Sequence, residues 1–368
     1  MFFSALLALT LVQPLPFPQY ATVGDLGGDQ NPISVGASSV AVDVVIAREY
    51  GGLVYWRGPQ RIPLPKWQDA EIPNPAGEPF FSLGAVRPNG TLYAEDNISR
   101  SCECPFHRGK TDILRLRDGF WSQVDLGSCG IDTDSYTPHL YKVESDGALD
   151  LTFYYTYIID NDDIGKGVYA PVAMRLSGGR CTKLGDFELR DAANGYAVGF
   201  RGYLDGGLGP TIHNNPDAQR IVAVRVYDGT LKQLGRGEAL AVAPDGFTVG
   251  ADGPTFDLHM GIYDQKPWCC PHHPVAWDSR GREIPLAPQA KSGVAYAVDS
   301  THRVIGMLVG RDGRHYAFLW QDGKLHLLDE TVQAPGWRFE GAYRFTDDGA
   351  IVGVGTYNGI ATGFVLRS

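Results

Sequence analysis

The residues with the most chemical potential in this chain are crowded into one short run. Cys269, Cys270, His272 and His273 stand in the string C-C-P-H-H. Thiolate and neutral imidazole are the donors that zinc and copper accept, so these four could ligate a metal. The run lacks the C-x2–4-C spacing that lets two sulfurs reach one ion, and in an oxidising compartment disulfides are the plainer reading. Just upstream lie Asp257, His259, Tyr263 and Trp268. Tyr263 and Trp268 offer flat faces for a sugar or an aromatic ligand, or they pack the segment itself.

Other chemistry is sparser. Asp160, Asp162 and Asp163 in DNDDIG resemble the start of a calcium loop. The third carboxylate and the distal Glu are missing, which leaves a solvated acidic turn. Asn89 and Asn97 head glycosylation sequons. No G-x-S-x-G, P-loop or dinucleotide fingerprint occurs, so neither a catalytic residue nor a cofactor is assigned.

The bulk numbers narrow the class. In 368 residues 43% are hydrophobic and 20% charged, which permits a packed core and argues against disorder. The 46 Gly and 24 Pro suit a chain that turns often. A net charge of −10, with no basic cluster to offset it, disfavours nucleic acid. Phe2 to Val12 form an apolar stretch of signal-peptide length, followed by Pro14, Pro16 and Pro18, although no Lys or Arg precedes it. Residues 1–17 are read as a signal peptide cut between Gln13 and Tyr20, with no membrane span in the mature chain.

The elements that must hold these residues repeat along the chain. The clearest unit divides into four short runs: a (AYAVD), b (RVIGML), c (HYAFLW) and d (KLHLLDE), from Ala295 to Glu330. Run c recurs with its end at Trp56, Leu116, Leu176, Val226, Trp277, Trp320 and Leu366. A glycine turn follows at Gly58, Gly119, Gly179, Gly229, Gly281 and Gly323. Run d then closes at Leu64, Leu126, Leu184, Leu234, Leu286 and Leu328. The a–b turns read Asn89-Gly90, Asp146-Gly147, Asn194-Gly195, Asp245-Gly246 and Asp348-Gly349, dipeptides that favour tight hairpins. Four antiparallel strands per unit, repeated at this spacing, is the pattern of an all-β propeller.

The ends of the chain point to a ring. The last unit stops after run c, while QYATVGDLGG near the start carries an orphan Leu26-Gly27 like the close of run d. The sequence therefore predicts a seven-bladed β-propeller of four-stranded antiparallel blades over residues 18–368. The blades span about 28–75, 76–130, 131–185, 186–235, 236–288, 289–332 and 333–368, with the N-terminal strand 18–27 completing the last.

Within such blades the b–c and d–a connections share one end and the tight turns the other. Four consecutive b–c connections are long, near 94–110, 157–169, 202–219 and 251–273, so blades 2 to 5 should carry a loop-rich face opposite a bare one. Cys102 and Cys104 lie in the blade 2 insert and Cys129 in the d–a loop of the same blade. A bridge from one of the first two to Cys129 is the expected disulfide. Cys269-Cys270 would pair with each other or reach the spare blade 2 cysteine, and Cys181, beyond a tight turn, would be a half-buried free thiol.

The units resemble the extracellular repeat family known as HAF repeats, in which A-x-a-(I/V)-n-x-x-G-x-(I/V)-(V/I)-G precedes h-A-F-l-W. Tyr296–Gly306 with His315–Trp320 matches it most fully, and Gly341–Gly353 follows well. Asp191–Gly199 and Ala239–Gly250 match in part. The resemblance implies a propeller-like fold and export (secreted, periplasmic or cell surface) and no particular activity. The function expected is a monomeric, non-catalytic module that binds a protein or a glycan on its loop-rich face. The alternative is a secreted hydrolase or lyase using His107, His139, His213, His259, His272 or His273 over a central channel, paired with a carboxylate.

Overall fold

The computed structural model describes residues 35–37, 44–49, 52–57, 60–62, 81–86, 91–98, 110–131, 136–144, 146–156, 169–202, 221–253, 272–332, 334–345 and 349–366. These form seven antiparallel sheets in chain order, six of four strands and one of three among the described residues. The first comprises β1 (Val35–Ala37), β2 (Val44–Glu49), β3 (Gly52–Arg57) and β4 (Gln60–Ile62). The second comprises β5 (Phe81–Val86), β6 (Leu92–Ile98), β7 (Lys110–Arg117) and β8 (Phe120–Gln123). The third comprises β9 (Tyr136–Val143), β10 (Leu149–Thr156), β11 (Tyr169–Ser177) and β12 (Arg180–Gly185).

The fourth sheet comprises β13 (Glu188–Ala193), β14 (Tyr196–Arg201), β15 (Val222–Tyr227) and β16 (Thr230–Arg236). The fifth comprises β17 (Glu238–Val242), β18 (Thr248–Ala251), β19 (Pro274–Trp277) and β20 (Glu283–Pro285). The sixth comprises β21 (Ser292–Val298), β22 (Val304–Val309), β23 (His315–Gln321) and β24 (Lys324–Leu327), followed by a one-turn helix at Leu328–Thr331. The seventh comprises β25 (Trp337–Phe345), β26 (Ile351–Tyr357) and β27 (Ile360–Leu366).

The turns take the geometry their residues dictate. Asp118-Gly119, Asn194-Gly195, Asp228-Gly229 and Asp322-Gly323 have positive φ at both positions, as a two-residue hairpin requires. Strands pair with their chain neighbours throughout, so each repeat is a meander. The expected loop asymmetry follows from the strand bounds. The second and third strands are joined by 99–109, 157–168, 202–221 and 252–273 in the second to fifth sheets, but by short connections in the sixth and seventh.

The inner strands of the later sheets are buried on both faces, which is why their runs read as continuous apolar stretches rather than alternations. All five residues of β17 are buried. Phe247, Val249, Val304 and Phe318 fill the space between the fifth and sixth sheets. Ile305, Leu319, Phe339 and Phe364 fill the next, sealed by Leu328 of the one-turn helix. Successive first strands lie against one another from β1 to β25, and β1 in turn lies against β25 and β26. The segment 18–27 and residues 1–17 fall outside the described residues. No described helix is long and apolar enough to cross a membrane.

One expectation is corrected. Cys129 bonds Cys181, not Cys102 or Cys104, and Cys181 is no free thiol. The connector after β8 turns back as a 3-10 turn at Gly127–Cys129 that packs on β12. Leu126 and Cys129 are buried there with Ile113, Leu151 and Phe153, and Cys181 borders the same cluster. Apolar burial pulls the connector alongside the outer strand, and that brings the two sulfurs together.

Candidate functional site

The first strands share a local irregularity. In β9 the pairing with β10 passes from Lys142↔Asp150 to Leu140↔Leu151, leaving Tyr141 with no opposite residue. In β13 the partners Leu189↔Gly199 and Asp191↔Val198 leave out Arg190. The same shift leaves out Leu240 in β17, Tyr296 in β21 and Tyr343 in β25. Each is a β-bulge, a device that re-aims one side chain.

The glycine that ends the repeat's G-x-(I/V)-(V/I)-G segment is the footprint of this bulge. A Cβ on Gly199, Gly250, Gly306 or Gly353 would run into the carbonyl oxygen of Glu188, Glu238, Val294 or Gly341 respectively. In these four sheets the bulge brings that carbonyl down on the second strand and only glycine fits, whereas the third sheet carries Leu151 at the matching position.

The bulged residues of adjacent strands meet side by side. The Arg190 guanidinium lies 5.5 Å from the Tyr141 ring and 5.1 Å from the Phe200 ring. Its Nη2 is 2.8 Å from Glu188 Oε1 and 3.8 Å from Glu238 Oε2. These carboxylates are almost wholly buried, at 4% and 1% exposure, while the Arg190 side chain keeps 21%. Tyr141 donates to Glu188 at 3.2 Å and shares a 2.6 Å hydrogen bond with Tyr154. Tyr296 and Tyr343 follow with ring centroids 4.9 Å apart. The result is a belt of phenols, carboxylates and one guanidinium across five strands.

Its electrostatics follow from burial. Desolvation raises the Tyr154 phenol well above its usual value and that of Tyr343 to about 12, and it raises Tyr296 in the same way, with help from the Tyr343 and Glu238 charges. These phenols stay protonated near neutral pH and can donate. Burial alone would lower the Arg190 pKa, but the nearby Glu188 charge and others carry it above its ordinary value. Arg190 Nε, buried, finds no acceptor among the described residues.

Antiparallel hairpins fix which end of the sheets this is. A first strand begins at the end from which the second-to-third connection leaves. Glu188 and Glu238 open β13 and β17, opposite Phe200 and Ala251 at the ends of β14 and β18. The carboxylates therefore sit beside the roots of 202–221 and 252–273.

Of the residues singled out in the sequence, Cys102, Cys104, Asp257, His259, Tyr263, Trp268, Cys269 and Cys270 lie outside the described residues. His272 is buried, and His273 is partly exposed at the foot of the same connection. The backbone N–H of His273 donates to Asp252 at 2.5 Å, and its Nδ1 lies 3.4 Å from the other carboxylate oxygen. Among the described residues no three His, Cys, Asp or Glu gather closely enough to hold a metal ion. His139 stands edge-on to Tyr154 at 5.0 Å. The belt itself was not singled out. Its signal was a changing residue directly after a small or aliphatic one in run a: L-Y-K, L-R-D, A-L-A, A-Y-A and A-Y-R.

No protein-family model matches the chain, so the resemblance to HAF repeats stands on the quoted residues alone. No curated protein matches it either. Among solved structures it is similar to the β-propeller domain of the Trilobed protease from Pyrococcus furiosus, which has an open velcro topology. That likeness has a TM-score of 0.53 at 8% identity and covers 91% of this chain and 95% of the other. It is also similar to the Pyrococcus horikoshii acylaminoacyl peptidase, with a TM-score of 0.54 at 10% identity over 90% of this chain. The chain matches 51% of that peptidase, about half its length. At such identities the likeness speaks to fold, and the fold is that of a β-propeller.

Proposed function

We propose that the chain is an exported, closed seven-bladed propeller of the HAF-repeat kind. In this reading it binds a protein or a glycan, without catalysis, at the end that carries the long connections. The observation behind it is that four long connections leave the same end of consecutive sheets, and two of them, 202–221 and 252–273, root beside Glu188 and Glu238 of the belt. Rigid sheets presenting irregular loops are a common arrangement for recognition. The belt's ionic groups hold one another, as a structural binding surface needs and a proton-transfer site does not.

Export is supported by the Cys129–Cys181 disulfide, since such bonds persist in oxidising compartments. Closure is supported by β1 lying against β25 and by the seventh sheet having three strands among the described residues, so that 18–27 would add at β27. Hydrogen exchange tests it. Outer-edge amides of 360–366 should be protected in the full chain and lose protection when 18–27 is removed.

The binding reading is tested by screening the purified chain against immobilised glycans and surface proteins, then shortening 203–220 and 254–271. Capture that survives both changes defeats it. A hydrolase reading finds a geometric footing at the loop-rich end in the His273–Asp252 pair at the foot of the fifth-sheet connection. Hydrolysis of any screened polymer that stops in His273→Ala would establish that reading instead.

A further inference from the structure

We propose that the bulged residue of each first strand is the ligand-reading position, and that the ligand is the end of a neutral, hydroxyl-rich chain: a terminal sugar ring of a glycan. The inference rests on the binding reading above and narrows it.

The fold keeps the bulge at a cost. A glycine must stand opposite it in four successive sheets, where Ala would leave the chain less conformational freedom to lose. The preceding residues Leu140, Leu189, Ala239, Ala295 and Ala342 are buried core, whereas the bulged position itself changes from Tyr to Arg, Leu, Tyr and Tyr. A buried aliphatic residue followed by one re-aimed and changing side chain, repeated on neighbouring strands, is the layout of a reading surface.

Its chemistry selects the ligand. The partly exposed Arg190 side chain, held by the buried Glu188 and Glu238, can donate to a ligand hydroxyl. The Tyr141 and Tyr343 rings, partly exposed, offer faces to the apolar side of a sugar and hydroxyls to its rim. An anionic ligand meets two buried carboxylates, and a cationic one meets Arg190. Leu240 and Tyr296 are each only 8% exposed, so the belt admits the tip of a chain rather than its length.

The test is calorimetric titration of the full chain with neutral hexasaccharides of glucose, xylose and mannose, alongside oligogalacturonate and chitosan oligomers. Binding of a neutral oligosaccharide is expected. Tyr343→Phe and Tyr296→Phe keep the rings and remove the hydroxyls, so each should weaken binding about three- to tenfold, with an unchanged melting midpoint for Tyr343→Phe. Trp268→Ala probes the long connection separately. Binding lost in Trp268→Ala but unaltered in both Phe variants sinks the belt and spares the loop-end reading. Binding unaltered in all three sinks both. Binding only of the acidic or amino sugars, or of none, overturns the ligand class.

Discussion

Gly306 on β22 lies directly beneath the backbone carbonyl of Val294 on β21, so closely that any side chain there would collide with it. The contact exists because Tyr296 is squeezed out of the ladder. Gly306→Ala should therefore destabilise the fold by more than the usual 1 kcal/mol or so of a point substitution, because backbone must move. Gly119→Asn, at a positive φ with open space around it, should cost a few tenths. Urea midpoints of the two variants check the contrast, and equal midpoints would remove the steric account of the repeat's glycine.

Arg190→Leu leaves Glu188 and Glu238 buried without their shared cation. Removing one partner of a buried ionic cluster costs about 3 kcal/mol or more. The double variant Arg190→Leu with Glu188→Gln should recover part of the loss. Denaturant titration of both chains measures this, and a single variant as stable as the parent would show that the cluster is not coupled.

The Cys129–Cys181 bond closes a sequence separation of 52 residues. Chain entropy makes such a link worth about 4 kcal/mol. Cys129→Ser and Cys181→Ser should each lower stability by a similar amount, and the double variant should be no worse than either alone. Thiol counts on the denatured parent should place both cysteines outside the free pool. Additive losses would mean that the two do not bond.

Glu144 has its carboxyl pushed up to about 7, chiefly by burial, with Asp150 also raising it and Lys142 and Arg175 opposing. A folded-state pKa above the unfolded one means the folded chain holds the proton more tightly between about 4.5 and 7. Stability from this group is thus highest below that window and falls as pH rises through it. Glu144→Gln should match the parent near pH 4 and exceed it near pH 8, because the amide never ionises. Thermal midpoints against pH for both chains read this out, and parallel curves would contradict it.

Much of the architecture was legible because it is written in two kinds of residue. Apolar runs of strand length and dipeptides such as Asn194-Gly195 and Asp118-Gly119 locate strands and turns, and the turns adopt the φ values those residues favour. The position of the long connections followed from strand order. The belt was not legible, since a bulge adds one residue to a strand without altering its composition. It shows in the sequence as a changing residue in run a and, in the fourth to seventh sheets, as a glycine on the next strand.

The disulfide was misread for a different reason. Assigning cysteines to one end or the other of a blade ignores how far from the axis each lies. Cys129 reaches Cys181 because Leu126 draws its connector into the apolar seam between the second and third sheets.

That bond also encloses 157–168, one of the long connections, between its two ends. A protease that cuts there severs the backbone but not the molecule. The fragments remain joined through sulfur, migrate as one species without reductant, and separate only when it is added. A nicked chain would thus keep its third sheet in place, and damage at that loop need not end its working life.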